Sequence, residues 1–295
     1  MYNYDTSNQS FIDLHNRLKN IGISNNEEFL LLNNENLVGV DPWDENISEH
    51  EKAEIIQECN DNIWYFLREV IRLPQKGTAL LNTIVHSPFY INIGVFAMIF
   101  LWLNGFNQFT CMPADMFKTG TICALYSYLR NIFGLSISNL NISGSNNLSS
   151  QNIKYNIRHY SVPSYLKSGI DAGNLEKHTL LDDFVNIKDN KTLWNKVRDK
   201  NNLVLLSTAG DLSTKSGKFA HGLKGRSIPW KNEYFDAKKE YLESIYDASS
   251  DKLFYVEYNL EDLLVDPDTY YKSSKLNRFC EDPDIIARKV DLLWK

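Results

Sequence analysis

Three pairs of polar residues follow strongly apolar runs in this sequence: Lys118-Thr119, Asp182-Asp183 and Ser207-Thr208. Lysine and backbone N–H groups bind phosphate oxygens, whereas a hydroxyl and a carboxylate hold a magnesium ion. A second carboxylate can activate a water molecule, and a hydroxyl on a further strand can sense the terminal phosphate. The three pairs together therefore have the residue types of a nucleotide site. Each pair alone is also typical of a solvated helix start or a strand-end turn.

The apolar runs before these pairs predict strands of a mostly parallel α/β sheet. The runs are GFNQFTCM (105–112), KHTLLDDFVNI (177–187) and NNLVLLSTAG (201–210). Strands that alternate with helices favour a parallel sheet. Ligands of such sheets bind at the carboxyl ends of the strands, which is where the three pairs lie. We therefore expect the pairs to meet at one edge of the sheet.

The remaining elements follow from spacing and capping residues. Ser48 with Glu51 three positions later forms a capping box that predicts a helix start. Residues 89–103 are strongly apolar but fewer than the ~20 that a membrane helix needs, so we expect a buried helix. The Asn- and Ser-rich stretch 136–160 predicts a surface loop or weak hairpin. Further helices are predicted over 11–23, 62–73, 120–133, 234–248 and 283–295, and a strand over 252–264.

The charge of the chain limits how it can contact nucleic acid. The formal net charge is -6, so any DNA contact needs a local basic patch. The stretch STKSGKFAHGLKGRSIPWK (213–231) reads as a basic loop, and its Lys218, Lys224 and Arg226 are the predicted DNA contacts. The alternative for this stretch is a solvated loop. The four cysteines have no paired spacing and do not predict a zinc site.

Five longer segments, in chain order, carry a resemblance to a known family: NLVGVDPWDENISEHEKAEIIQECNDNIWYFLREVIRLP, HTLLDDFVNIKDNKTLW, LLSTAGDLSTKSGKFA, FYVEYNLEDL and DPDIIARKVDLLW. They resemble the ATPase domain of phage large terminase subunits, the DNA-packaging motors of large tailed phages. The resemblance implies a P-loop NTPase fold of the additional-strand type. It also implies a helical N-terminal segment over 1–60 and an ATPase domain over 61–295.

The resemblance further implies cofactors, partners and site residues. ATP and Mg²⁺ are the expected cofactors. The expected partners are double-stranded DNA, the phage portal, a small terminase subunit and further copies of the chain, in the host cytoplasm and without a membrane. The implied roles are phosphate binding by Lys118, magnesium binding by Thr119 and Asp182, catalysis by Asp183, coupling by Ser207 and Thr208, and nucleotide binding by Arg68.

The sequence departs from the family at the phosphate loop. The loop has Ala114 where the family has arginine, Asp115 where it has glutamine and Phe117 where it has glycine. Asp183 stands where the family has glutamate and is one methylene shorter. Loss of the arginine charge, and a side chain at a position of close backbone approach, predict weak or lost hydrolysis. Because the chain ends near Trp294, we expect no nuclease domain.

Two alternatives remain open at this stage. The chain could be an active packaging ATPase whose nuclease is on a separate chain. It could also be a repurposed, non-catalytic scaffold or interaction protein of phage assembly. Nucleotide turnover distinguishes the first alternative, and the location of the protein in virions or infected cells distinguishes the second.

Overall fold

The computed structural model describes residues 39–76, 84–132, 140–143, 178–199, 202–272 and 282–295. The helix predicted over 11–23 and most of the predicted loop 136–160 lie outside these residues. The strands are β1 (Arg72–Lys76), β2 (Ile84–Pro88), β3 (Gln108–Cys111), β4 (Leu140–Ser143), β5 (His178–Leu181), β6 (Leu203–Ser207), β7 (Ile228–Pro229) and β8 (Phe254–Glu257).

Six of these strands form one sheet, in the order β4-β5-β6-β3-β8-β7. Every neighbouring pair in this sheet is parallel, so the predicted mostly parallel sheet is confirmed. The central strand β3 pairs with β6 on one side, where Gln108 is opposite Val204, and with β8 on the other. Strands β1 and β2 form a separate antiparallel ribbon.

The helices are α1 (Glu49–Asp61), α2 (Ile63–Tyr65), α3 (Ile93–Leu103), α4 (Lys118–Ser127), α5 (Asn190–Val197), α6 (Lys215–Arg226), α7 (Lys239–Ala248), α8 (Leu260–Leu263), α9 (Pro267–Lys272) and α10 (Pro283–Lys289). A π-helical turn extends α2 over Phe66–Val70, and a second one extends α4 over Tyr128–Ile132. Short 3₁₀ helices cover Phe184–Asn186 and Asn232–Asp236.

Two apolar clusters cover the two faces of the sheet. Successive strand residues point to opposite faces, and Leu180 and Leu181 accordingly belong to different clusters. Helix α3 packs in the first cluster, whereas Leu193 of α5 and Leu223 of α6 lie in the second. Helices therefore flank the sheet on both faces, which leaves the strand ends as the place where polar side chains can gather.

Helix α3 is buried along its whole length. All eleven of its residues are buried, and Asn92 caps its start by accepting a hydrogen bond from the Val95 N–H at 2.9 Å. The apolar run 89–103 is thus a core helix, as predicted. No helix in the described parts of the chain is long and apolar enough to cross a membrane.

The start of α1 confirms the predicted capping box. The Ser48 hydroxyl accepts a hydrogen bond from the Glu51 N–H, and the Glu51 carboxylate accepts one from the Ser48 N–H. Cys59 of α1 lies in the same apolar cluster as α3. The division of the chain at residue 60 stays a prediction.

Several predicted elements differ from the structure. The strand expected over 252–264 ends at Glu257, because Asn259 and Asp262 form a capping box that starts helix α8. The helix expected over 62–73 ends at Val70 and gives way to β1, because a residue before a proline such as Pro74 favours an extended backbone. Residues 140–143 are not a loop, since they form β4 and pair with β5. The basic stretch is not a loop either.

The basic stretch 213–231 contains helix α6. Its sequence does not indicate a helix because three of the helical residues are glycines. Thr214 caps the helix by accepting a hydrogen bond from the Gly217 N–H at 2.9 Å. Glycine lowers helix propensity by roughly 1 kcal/mol, so Gly217, Gly222 and Gly225 made the segment resemble a loop. Tertiary packing of Ala220 and Leu223 against the sheet outweighs this local preference.

Candidate functional site

The loop between β3 and α4 (residues 112–117, the β3–α4 loop) has an unusual backbone. Asp115 and Phe117 both have left-handed conformations, with φ of 64° and 60°. A left-handed conformation costs a residue with a side chain about 1–2 kcal/mol. Helix α4 begins directly after this loop and has no side-chain cap at its N-terminus. Uncapped N–H groups after such a turn make a concave surface suited to anions.

Lys118 is the first residue of α4, and its side chain folds back across the loop. Its ammonium group donates to the carbonyl oxygens of Met112 at 2.7 Å and Pro113 at 2.5 Å. Only 8% of the residue is exposed. Burial lowers the pKa of Lys118 to about 8, and the nearby Asp182 opposes this effect. The loop therefore encloses a buried amino group that is held by two backbone carbonyl oxygens.

Thr119 and Asp182 meet beside this lysine. The Thr119 hydroxyl donates a hydrogen bond to one Asp182 carboxylate oxygen, and the Asp183 N–H donates to the other at 3.0 Å. Burial raises the pKa of Asp182, although the Thr119 hydrogen bond acts in the opposite direction. The structure thus joins residues of β3–α4 and β5 that lie 63 positions apart in the sequence.

The Thr119 hydroxyl and the Asp182 carboxylate are suitable ligands for a magnesium ion. Both are hard oxygen donors, and burial raises the pKa of Asp182, so a cation beside this carboxylate would favour its charged form. The described residues contain no group of three or more His, Cys, Asp or Glu that could hold a metal ion. The other ligands of a magnesium ion would therefore be phosphate oxygens and water, as is usual for this ion.

Asp183 also lies at this edge, at the start of the 3₁₀ helix Phe184–Asn186. Its backbone is left-handed, with φ of 58°. One of its carboxylate oxygens accepts a hydrogen bond from the Asn186 side-chain amide at 3.2 Å. The predicted catalytic carboxylate is thus engaged by a neighbour on its own turn.

Ser207, the last residue of β6, and Thr208, which follows it, complete the group of predicted residues. The Ser207 carbonyl oxygen accepts from the Met112 N–H at 3.2 Å, which joins the ends of β3 and β6. The Ser207 hydroxyl accepts from the Val185 N–H at 3.3 Å, and the Thr208 hydroxyl donates to the Ala209 carbonyl at 3.4 Å. Both residues lie beside the β3–α4 loop, but their hydroxyls bond to protein groups.

The ring of Phe117 packs against another aromatic ring. It stacks on Tyr90 with the ring centroids 5.3 Å apart and the planes inclined by 25°. The half-buried ring also contacts the apolar cluster that contains α3. Phe117 therefore combines a left-handed backbone with an apolar contact for its side chain.

Arg68 lies in the π-helical turn after α2 and is not joined to the group around Lys118 by the contacts described for it. Its guanidinium forms an ion pair with Glu69 at 3.4 Å, and its carbonyl oxygen accepts from Arg72 at 3.1 Å. The Nε atom of Arg68 is buried and has no hydrogen-bond partner among the described residues. Its role in nucleotide binding stays a prediction.

The three predicted DNA contacts lie on α6. Lys224 forms an ion pair with Glu257 at 2.8 Å, and Arg226 forms one with Asp251 at 2.7 Å. Lys218 is exposed and has no ion pair in the part of the chain that the structure describes. Two of the three charges are therefore largely compensated within the protein, which leaves Lys218 as the residue most available to a phosphate backbone.

Hydrogen bonds from distant residues also hold the site, and no sequence pattern indicates them. The Ala114 N–H donates to the Lys289 carbonyl at 2.7 Å, and the Tyr270 hydroxyl donates to the Ala114 carbonyl at 3.1 Å. The Ala209 N–H donates to the Arg288 carbonyl at 3.2 Å. Carbonyl oxygens have no residue signature, so these contacts could not be predicted.

Comparison with known proteins found no relative of this chain. No family model matches the sequence, and no curated protein is significantly similar to it. The functional assignment therefore depends on the arrangement of Lys118, Thr119 and Asp182 at the edge of the sheet.

Proposed function

We propose that the chain is a P-loop-type nucleotide-binding domain that resembles the ATPase domain of phage large terminases. It binds a nucleoside triphosphate with Mg²⁺ and hydrolyses it weakly or not at all. The observation that carries the proposal is the hydrogen bond between the Thr119 hydroxyl and the Asp182 carboxylate, next to the buried Lys118. These three groups have the roles that magnesium and phosphate binding require.

The state of Lys118 supports phosphate as the ligand. Its ammonium group is buried against two carbonyl oxygens, and its pKa is lowered by that burial. A polyphosphate would contact the buried ammonium group directly, and Lys118 would exchange its carbonyl partners for phosphate oxygens. The uncapped N–H groups at the start of α4 would bind the same anion.

The strand order supports the additional-strand type of this fold. In that type, one strand lies between the strand that leads to the phosphate loop and the strand that carries the magnesium acid. Strand β6 has this position between β3 and β5. The order of the strands therefore agrees with the roles proposed for Lys118 and Asp182.

Weak hydrolysis follows from the two positions that should act on the transferring phosphate. Asp183 is one methylene shorter than glutamate, and its carboxylate bonds to Asn186. A displacement of about 1 Å can lower a rate by ~100-fold. Ala114 supplies no positive charge where the family has arginine. The site thus retains the groups for binding and lacks part of the groups for turnover.

The packaging role within this proposal comes from the resemblance. Double-stranded DNA, a phage portal, a small terminase subunit and further copies of the chain are the proposed partners, in the host cytoplasm. Helix α6 starts directly after the loop that follows β6 and exposes Lys215 and Lys218. A DNA-contacting face at this helix would lie next to the proposed nucleotide site.

Calorimetry with Mg-ATP and Mg-ADP tests nucleotide binding. We expect the wild type to bind both, and Lys118→Met and Asp182→Asn to bind at least ~10-fold more weakly because each loses a charged contact. Lys215→Met is the matched control, since Lys215 is also the first residue of a helix but is exposed. Equal affinity of the wild type and Lys118→Met would contradict the proposed site.

Phosphate release tests the hydrolytic part separately. We expect little turnover by the wild type and more by Asp183→Glu, because the longer side chain recovers the missing methylene. Asp183→Asn is the control that keeps the length and removes the charge. Wild-type turnover comparable to that of packaging motors, abolished in Lys118→Met, would contradict the weak hydrolysis while leaving nucleotide binding intact.

A further inference from the structure

The C-terminal segment 282–295 lies across the carboxyl ends of the central strands. It contains α10, and Ala287, Val290 and Leu292 are buried within it. Its start is fixed by the Asp282 carboxylate, which accepts from the Asp284 N–H at 2.9 Å. The segment is thus a packed part of the domain.

One side of the segment holds the β3–α4 loop. The Lys289 carbonyl accepts from the Ala114 N–H at 2.7 Å. The Ala114 carbonyl in turn accepts from the Tyr270 hydroxyl at 3.1 Å, and the adjacent Tyr271 hydroxyl reaches the Asp291 carboxylate at 3.3 Å. Both backbone groups of Ala114 are therefore occupied by residues from the last part of the described chain.

The other side of the segment holds the loop that follows β6 (residues 208–214, the β6–α6 loop). The Arg288 carbonyl accepts from the Ala209 N–H at 3.2 Å, and the Arg288 guanidinium pairs with Asp211 at 3.4 Å. Trp294 covers Gly210 so closely that a Cβ atom there would lie 3.0 Å from the indole ring. Successive carbonyls of one helix turn therefore bind two different loops.

Trp294 extends these contacts to helix α6. Its ring lies 5.2 Å from the ring of His221 between centroids, and the Lys224 ammonium lies 5.8 Å from the Trp294 ring. The indole N–H has no hydrogen-bond partner among the residues described, so packing alone holds this ring. The segment consequently contacts the helix that bears the predicted DNA-binding lysines.

We propose that the C-terminal segment is a positioning element that couples the β3–α4 loop to the β6–α6 loop, with Arg288 and Trp294 as its positioning residues. A ligand that moves the first loop moves the second through the segment. The part of the proposal that concerns a nucleotide rests on the proposed function. The mechanical part of the proposal, which is that the segment holds both loops together, concerns the protein without any ligand.

A competing route between the two loops exists in the sheet. The Met112 N–H donates to the Ser207 carbonyl at 3.2 Å, which joins the ends of β3 and β6 directly. That contact joins the first residue of the β3–α4 loop to the last residue of β6, whereas the contacts to Lys289 and Arg288 are made further along each loop, at Ala114 and Ala209. The two routes therefore predict different behaviour of the Ala114 and Ala209 amides when the segment is loosened.

Hydrogen exchange of these two amides, without nucleotide, tests the mechanical part. We expect Trp294→Ala and Arg288→Gln to accelerate exchange of both amides at least ~10-fold, because loosening one end of the segment frees both carbonyls. Trp294→Phe keeps an aromatic ring over Gly210 and should remain close to wild type. Leu293→Ala, at an exposed neighbour, is the second control.

The outcome at Ala114 decides the mechanical proposal. Faster exchange at Ala209 with an unchanged rate at Ala114, in each of the variants Trp294→Ala and Arg288→Gln that folds, would overturn it, since the two loops would then be held independently. Far-ultraviolet circular dichroism checks that each variant is folded. Using two variants at different contacts keeps the result decisive if one of them fails to fold.

Addition of Mg-ATP tests the ligand part. We expect slower exchange in both loops of the wild type, and in the β3–α4 loop alone of Trp294→Ala. Slowing of both loops in Trp294→Ala would overturn coupling through the segment. No slowing in either loop of the wild type would refute the proposed function and the ligand part together, while the measurement without nucleotide still decides the mechanical part.

Discussion

Replacing Lys118 by methionine should change the free energy of unfolding by an amount that depends on pH. Methionine has a similar length and no charge, so the substitution removes the buried ammonium with little change in volume. The pKa of Lys118 falls from 10.5 to about 8 on folding because the side chain is buried. The folded protein therefore carries an electrostatic cost at neutral pH that the variant does not carry.

The sign and size of the effect follow from proton linkage. Between pH 8 and 10.5 the unfolded chain holds a proton on Lys118 more readily than the folded chain, so wild-type stability rises with pH in this window. A shift of this size makes the wild type gain about 2–3 kcal/mol relative to Lys118→Met between pH 7 and pH 10. The loss of the carbonyl hydrogen bonds changes the free energy of unfolding of the variant equally at both pH values, so it does not affect this difference.

Urea unfolding followed by far-ultraviolet circular dichroism measures the difference. The solutions contain EDTA, so that no metal ion binds to the nearby Thr119 and Asp182. Lys215→Met is the control, because it removes a lysine that also begins a helix but is exposed. A difference between Lys118→Met and the wild type that stays within about 0.5 kcal/mol would refute the reasoning.

The same linkage has a consequence for binding. A polyphosphate beside Lys118 favours its charged form and so raises its pKa again. We therefore expect Mg-ATP binding at pH 8.5 to take up protons. Calorimetry in two buffers of different ionisation enthalpy measures this uptake, and binding without proton uptake would contradict contact between Lys118 and the phosphates.

Three further predictions concern single positions. Phe117→Gly should strengthen Mg-ATP binding several-fold by calorimetry because glycine accepts the left-handed backbone and allows closer approach, and Phe117→Leu should not. Lys218→Glu should weaken DNA binding, and the dependence of the affinity on salt concentration should fall by the equivalent of about one phosphate contact. Arg226→Glu breaks an ion pair with Asp251 and should chiefly lower the free energy of unfolding. Gly217→Ala should lower the free energy of unfolding, measured in urea, by about 1–3 kcal/mol, because its Cβ atom would lie 1.9 Å from the Asp211 carbonyl oxygen. Gly225→Ala is the control, since the space around Gly225 is open and the added methyl group should not lower the stability.

The sequence predicted those parts of the fold whose signals are local. The capping box at Ser48 and the apolar run of α3 are such signals, and the structure confirms both. Strand β4 was missed because its four residues lie in an Asn- and Ser-rich stretch and become a strand only through pairing with β5. Helix α6 was missed because packing of Leu223 against the sheet outweighs its glycines.

The candidate site likewise contains residues that the sequence indicates and contacts that it does not indicate. The side chains of Lys118, Thr119 and Asp182 could be named in advance, because residue type and position after a strand are visible in the sequence. The ring of Phe117 could not be located, since its contact with Tyr90 depends on a residue 27 positions earlier (117 − 90 = 27). The contacts of Ala114 and Ala209 use backbone groups, which every residue possesses.

The central position of β3 has a consequence for synthesis on the ribosome. Its neighbours are β6, whose paired residue comes 96 positions later (204 − 108 = 96), and β8, 146 positions later (254 − 108 = 146). At roughly 5–20 residues per second, β3 is without a partner strand for about 5–20 s after it is made. The apolar helix α3 is made just before β3, and its packing partners on β6 and β8 are also absent during this interval. We therefore expect the nascent chain to need a chaperone during this interval.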